Sequence, residues 1–333
     1  MNTSIVPSTA TAIAMKTAPA SAQRFDTSIL AGNVAESSLE QYRMHFRAYC
    51  AFAGSFDAAM EARTLAQWRQ SLYSGGYATQ AGAARAYSVN AINQRLAAVR
   101  RLMVEAAEQG YITHESAEQF RHVKGLSLKA NKERRKPHAR MKMTEDDIRA
   151  ILEAPNRSTL AGKMHYALLM TLATSGVRIS VVCNLRAAEI QLYTNEDGVT
   201  SWVIEAMGKN QSEPVMTELG YRAKAAINEW LEARTAAGIE SEYVFTSFAG
   251  KGDSRATDRP ISRISAWQMV KRYADAAGLS HIKPHDFRRF VGTRLAKSDI
   301  RLAQKQLGHK RIETTAQHYI LDDVQLGHVD DLF

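Results

Sequence analysis

Six residues of this 333-residue chain pair a phosphate-binding type of side chain with a special local setting. Arg178 follows Thr174-Ser175-Gly176-Val177, where a buried helix breaks and another begins. Lys209 sits at the tip of a turn between two strand-like runs, from which a long amine can reach into a groove. His285 and Arg288 lie one turn apart on a helix opened by Pro284, so they share a face. His309 follows Leu307-Gly308 at a helix end, and Tyr319 lies in the last helical segment. Arginine suits phosphate because its planar fork binds two oxygens at once and stays charged. Breaking a phosphodiester without a metal needs a nucleophile, positive charge on the two non-bridging oxygens, and an acid for the leaving oxygen. Singly, each residue has an ordinary explanation; a His-x-x-Arg pair arises often by chance.

Rival chemistries lack their motifs. There is no GxxxxGK[ST], no GxGxxG after a strand, no HExxH and no CxxC. His138, His165, His281 and His318 have no metal-ligand spacing, so neither a metal nor a cofactor is expected. The net charge of +9 favours a polyanionic partner. Cys50 and Cys183 make no disulfide framework and fit a reducing cytoplasm. No apolar run approaches the roughly 18 residues of a membrane span.

The elements that must position these residues fall into two groups. Residues 1–35, rich in Ala, Ser and Thr, read as a flexible tail. Leu39, Tyr42, Phe46 and Tyr49 then recur at helical steps, with Arg43 and Arg47 off that stripe. Val89, Ile92, Leu96, Val99, Met103 and Ala106 mark a second long helix over 88–109, with Arg95, Arg100 and Arg101 largely away from its apolar face. Weaker helical segments are predicted near 57–73 and 77–86. The basic run Arg121 to Lys142 holds nine Lys and Arg, among them Lys132, Arg134, Arg135 and Lys136, against Glu133 alone. Beyond it, Thr144-Glu145-Asp146-Asp147 carries a capping-box signature. Tyr166–Ala173 reads as a buried helix that stops at Ser175-Gly176. Ile190–Tyr193, Ser201–Ala206 and Glu213–Thr217 read as a three-stranded antiparallel meander. Helices are predicted near 219–236, 264–277, 285–297 and 299–307, with a short apolar run at Tyr243–Thr246.

In order, the motifs resemble those of the tyrosine recombinases, or phage-type integrases. They are Ser175-Gly176-Val177-Arg178, Gly208-Lys209, Pro284-His285-Asp286-Phe287-Arg288, Leu307-Gly308-His309, and Thr314-Thr315 leading to Tyr319. The resemblance implies a mainly α N-terminal core-binding domain (36–125), a basic linker (126–141) and an α+β catalytic domain (142–333). The catalytic domain would be mostly helical with a small three-stranded antiparallel sheet. It implies catalytic roles for Arg178, Lys209, His285, Arg288, His309 and Tyr319, the nucleophile. Arg178 and Arg288 would clamp the phosphate, Lys209 would protonate the 5′ oxygen, His285 would manage the tyrosine proton and His309 would bond a phosphate oxygen. DNA contacts are expected from Arg43, Arg47, Arg95, Arg100, Arg101, Lys132, Arg134, Arg135 and Lys136.

The implied activity is site-specific recombination through a 3′-phosphotyrosine, without metal or ATP, in the service of a mobile element. Its partners would be double-stranded DNA and further copies of the chain in a tetramer, with cytoplasmic, nucleoid-associated localisation and no membrane. The tail 320–333, with four Asp and no Lys or Arg, is expected to dock on a neighbouring protomer. Alternatives are a type IB topoisomerase-like nicking-closing enzyme and a non-catalytic architectural DNA-binding protein. The chain departs from the family pattern in three places. Val181 stands where an acid is usual, Arg289 where His is common, and His309 to Tyr319 spans ten residues rather than nine.

Overall fold

The stripe Leu39–Tyr42–Phe46–Tyr49 winds into α1 (Glu36–Ala53) and buries its apolar side. The computed structural model describes residues 24–77, 85–131, 143–207, 213–250 and 255–319. The chain divides into two compact units, Met1–Ala139 and Arg140–Phe333. In the first, α1 is followed by α2 (Phe56–Ala59), α3 (Ala62–Ser74), α4 (Val89–Glu108) and α5 (His114–His122). Helix α4 starts where its cap dictates: the Ser88 hydroxyl accepts from Ala91 N at 3.3 Å. All six stripe residues of α4 are buried. All but Val89 share one core with Leu65, Trp68 and Leu72 of α3, each large side chain contributing roughly 1.5–3 kcal/mol by leaving water. The Tyr49 hydroxyl, buried with its ring, donates to Ala59 O at 2.9 Å. Burial pushes its pKa well above the usual phenol value.

Both ends of this unit reach further than the sequence suggests. Residues 25–30, expected in the tail, are packed: Leu30 is fully buried, and the Phe25 ring lies 5.4 Å from that of Phe56 and 5.5 Å from that of Tyr111. Gln109 donates to Ile29 O at 2.9 Å, fixing the 3₁₀ turn Thr27–Leu30 on α4. Phe25, Ile29 and Leu30 are too few to show a period, yet enough to anchor the turn. At the other end, Leu126 and Asn131, expected in the linker, also pack here. Asn93 clasps both backbone groups of Leu126, at 2.7 and 2.9 Å, and Tyr73 donates to Asn131 at 2.9 Å. The helix expected near 77–86 is absent at its described ends, Tyr77 and 85–86; residues 78–84 lie outside the described residues. Helix α5 was not foreseen, because its nine residues carry only two buried side chains, Ala117 and Phe120.

The second unit opens with α6 (Glu145–Glu153), whose capping box is complete: Asp147 N donates to the Thr144 hydroxyl and Thr144 N to the Asp147 carboxylate. Helix α7 (Leu160–Ser175) is central, packing on α9 (Tyr221–Ala236) and α11 (Pro284–Ser298), with its Leu168, Leu169 and Leu172 buried in the core of the unit. Between α7 and α9 run the short α8 (Ile179–Asn184) and the meander β1 (Ile190–Thr194), β2 (Thr200–Met207) and β3 (Pro214–Glu218), antiparallel in the order β1-β2-β3. Its register sets Ile204 opposite Thr217 and Met207 opposite Pro214. A second sheet, β4 (Thr246–Ala249) with β5 (Arg255–Pro260), adds a hairpin to the expected single sheet; the polar run of β5 gives no strand signal. Helices α10 (Arg263–Ala276), α12 (Ile300–Leu307) and α13 (Ile312–Tyr319) complete the unit. Among the described residues no helix is long and apolar enough to cross a membrane.

Candidate active site

The site is assembled where two helices of the second unit end. Helix α7 stops at Gly176, which has φ +64°, a conformation that disfavours side chains. Space forbids a side chain as well: a Cβ there would lie 2.9 Å from Val291 Cβ. The tight stop tucks Val177 into the core and leaves Arg178 half-buried at the N-cap of α8. Helix α12 ends the same way at Gly308, φ +59°, where a Cβ would approach Val215 Cγ1 to 2.9 Å. The chain then turns back, with His309 N donating to Gln304 O at 3.0 Å and the Gln304 amide donating to His309 O at 3.1 Å.

Arg288 joins these two ends. Pro284 at the first turn and Asp286, which accepts from Lys283 N at 2.9 Å, fix the start of α11. Phe287 is buried, and Arg288 beside it is only 3% exposed. Its guanidinium donates to Gly176 O at 2.9 Å and to Leu307 O, the carbonyls at the ends of α7 and α12. A helix C-terminus carries about half a unit of negative charge, so two of them converge on one buried cation. The same guanidinium lies 3.1 Å from His309 Nε2. Arginine can only donate, so Nε2 accepts; the proton of neutral His309 is thereby assigned to Nδ1, which meets the Thr315 hydroxyl at 2.9 Å. Thr315 is fully buried on α13, and Tyr319 falls one turn further along the same helix.

Arg178 and Arg288 line one small, partly open cavity of about 20 Å³. Its other walls come from Val177 and Val181, from Ile204 and Ala206 of β2, from Val215 and Thr217 of β3, and from Leu307-Gly308. No carboxylate lines it among the described residues, and Val181 presents a purely apolar face. Two guanidinium groups beside low-dielectric walls suit an anion with paired oxygens.

Thus Arg178, Arg288 and His309, distant in sequence, come together. His285 is exposed one turn before Arg288. Arg289 is 4.0 Å from Asp286. Lys209 lies outside the described residues, but the pairing of Met207 with Pro214 sets both ends of its connection on one edge of the sheet. Helix α13 is unbroken from Ile312 to Tyr319 and follows a non-helical stretch, residues 309–311, so the ten-residue spacing is made of a short connection and a regular helix. Sequence reasoning missed Gln304, Gln306 and the role of Thr315; only the Thr314-Thr315 pair had drawn notice.

The arginines expected at DNA are less uniform. Arg43 pairs with Glu40 at 2.5 Å on α1, one turn before exposed Arg47. Arg95 stacks over the Tyr87 ring at 4.3 Å, which Arg85 also covers at 5.1 Å. Arg100 donates to Leu96 O and Val123 O, each at 3.3 Å, and Arg101 pairs at 3.2 Å with Glu105, a residue 4% exposed. Arg100 and Arg101 therefore also hold the helical unit together. Lys132, Arg134, Arg135 and Lys136 lie outside the described residues.

Fold and site together define a class: a helix-rich protein in which two arginines border one small cavity at the ends of two helices. The model of the phage integrase family matches residues 141–325, and the chain belongs to that family. It is 32% identical over 178 residues to tyrosine recombinase XerD of Neisseria meningitidis, a match that takes in 52% of this chain and 56% of that one. The chain thus spans about half the length of that curated relative. Among solved structures, the fold is like that of XerH site-specific recombinase bound to difH substrate, with TM-score 0.60, 16% identity, and coverage of 89% of this chain and 82% of that one. It is also like a lambda integrase tetramer bound to a Holliday junction, with TM-score 0.58, 17% identity, and coverage of 90% and 78%.

Proposed function

We propose that this protein is a site-specific DNA recombinase that cuts and rejoins strands through Tyr319. Arg178 and Arg288 hold the non-bridging oxygens of the scissile phosphate, neutralising charge as it builds in the transition state. The Tyr319 oxygen attacks phosphorus, the bond to the 5′ oxygen breaks, and a 3′-phosphotyrosine forms. Lys209 gives its proton to the departing 5′ oxygen, while His285 takes up that of the tyrosine. His309 donates to a phosphate oxygen from Nε2, which requires that nitrogen to leave Arg288 and to carry the proton, with the Thr315 hydroxyl turning to donate to Nδ1. The phosphotyrosine keeps the energy of the broken diester, so a 5′-hydroxyl can reverse the step without ATP, and the protein's own cations serve in place of a metal. The observation that carries this reading is the buried Arg288, which shares a cavity with Arg178 and is linked through His309 and Thr315 to the helix of Tyr319.

Duplex DNA is the substrate and further copies of the chain are the partners, in a tetramer on two sites; the fold likeness to DNA-bound recombinases supports both. The tail 320–333, outside the described residues, docks on the neighbouring copy. A mobile element is the context we favour, and an inverted repeat flanking the gene is the observation that checks it. The activity is tested on a suicide duplex carrying the cognate site. Wild-type protein is expected to give a covalent adduct. DNA binding without an adduct would favour an architectural protein, and relaxation of supercoiled DNA lacking any site, by a monomer, would favour a nicking-closing enzyme.

A further inference from the structure

Gln306, on α12, makes an unusual set of bonds for a half-buried helix residue. Its amide nitrogen donates to Ser175 O at 2.9 Å and to Glu218 O at 2.8 Å, and its amide oxygen accepts from Glu218 N at 3.1 Å. Carbonyls only accept and a backbone N–H only donates, so the amide's orientation is fixed by its partners and both of its N–H groups are used. The three segments it joins all border the cavity. Ser175 ends α7, one residue before the Gly176 carbonyl that holds Arg288 and three before Arg178. Glu218 ends β3, whose Val215 and Thr217 form the cavity wall. Gln306 itself precedes Leu307, the second carbonyl on Arg288, and then Gly308 and His309. Val181, in the same wall, has no group with which to brace either arginine.

We propose that Gln306 is the positioning residue of this site: by tying α7, β3 and α12 to one amide, it sets the spacing of Arg178, Arg288 and His309 around the phosphate. The proposal rests on the recombinase reading above. Its effect belongs to the cleavage step rather than to DNA affinity, because Gln306 acts through the groups that hold the reacting phosphorus. A displacement of about 1 Å in such groups slows a reaction roughly a hundredfold.

The test uses the full chain and the suicide duplex, measuring the rate of adduct formation at saturating DNA alongside the dissociation constant. Gln306→Met keeps the length and loses all three bonds; cleavage is expected to fall about ten- to a hundredfold with affinity within about threefold. In Gln306→Glu, an ionised carboxylate faces two carbonyls and is repelled; once protonated it donates to one. Its rate relative to wild type is therefore expected to rise as pH falls from 8 to about 5, whereas the Met variant's ratio stays flat. If Gln306→Met does not fold, the pH profile of Gln306→Glu decides alone. Wild-type cleavage rates in Gln306→Met, or a pH-independent ratio in Gln306→Glu, would overturn the proposal and leave the recombinase reading intact. Absence of any adduct from wild-type protein would overturn both.

Discussion

Arg288 and Arg47 carry the same charge in opposite surroundings. Arg288 is 3% exposed and held by two helix-end carbonyls and an imidazole, whereas Arg47 stands exposed on α1. Removing a cation from water costs several kcal/mol, which only fixed and well-aimed partners offset. The second unit supplies those partners through its helix ends, so the position of the Arg288 charge is settled before any ligand arrives. On the first unit, exposed charges are screened over about 8 Å at physiological salt; under the proposed function they act by releasing counterions from DNA. Under that reading the two units use arginine differently, one to place charge at an atom, the other to accumulate charge along a surface.

Replacing Arg288 should break this contrast most sharply. Arg288→Ala is expected to lower adduct formation by about a thousandfold or more, and Arg288→Lys by nearly as much, since an ammonium cannot span both carbonyls and a phosphate. Single-turnover cleavage is the measurement; a lysine variant near the wild-type rate would show that charge alone suffices. A smaller effect is expected from Gly176→Ala, which places a side chain at φ +64° and 2.9 Å from Val291. It should destabilise the second unit by about 1–3 kcal/mol in denaturant titration. No loss would mean that the α7 end is not the rigid support described above. The mildest change is expected from Arg47→Ala. It should weaken binding of all duplexes alike and reduce the slope of log affinity against log salt by about 1, with the cleavage rate at saturation unchanged. An altered cleavage rate would erase the distinction between the two units.

Much of this was legible in the sequence where the cause is local. Ser88, Thr144 and Gly176 end or begin helices by bonds to neighbours a few residues away, and the meander's three strands fall close to the expected runs. Order along the chain also revealed Arg178, Arg288 and His309 as a set. What was hidden depends on distance. Nothing near Arg288 announces that its partners are the carbonyls of residues 176 and 307, since every residue has a carbonyl. Gln306 looked like one more polar residue on a short helix, because its bonds run to segments 88 and 131 residues away. Phe25 and Leu30 were obscured by an Ala- and Ser-rich stretch whose composition outweighed one short turn. The sequence shows Val181 where an acid is usual, but only the folded site shows an apolar cavity wall there.

The central claim is that the chemistry passes through Tyr319. Wild-type protein is trapped on a suicide duplex, digested, and the DNA-linked peptide sequenced by mass spectrometry, with Tyr319→Phe in parallel. The account predicts a 3′-phosphate on the Tyr319 oxygen, and a Tyr319→Phe protein that binds the duplex with wild-type affinity and forms no adduct. A phosphate on any other residue, or an adduct that persists in Tyr319→Phe, would contradict it.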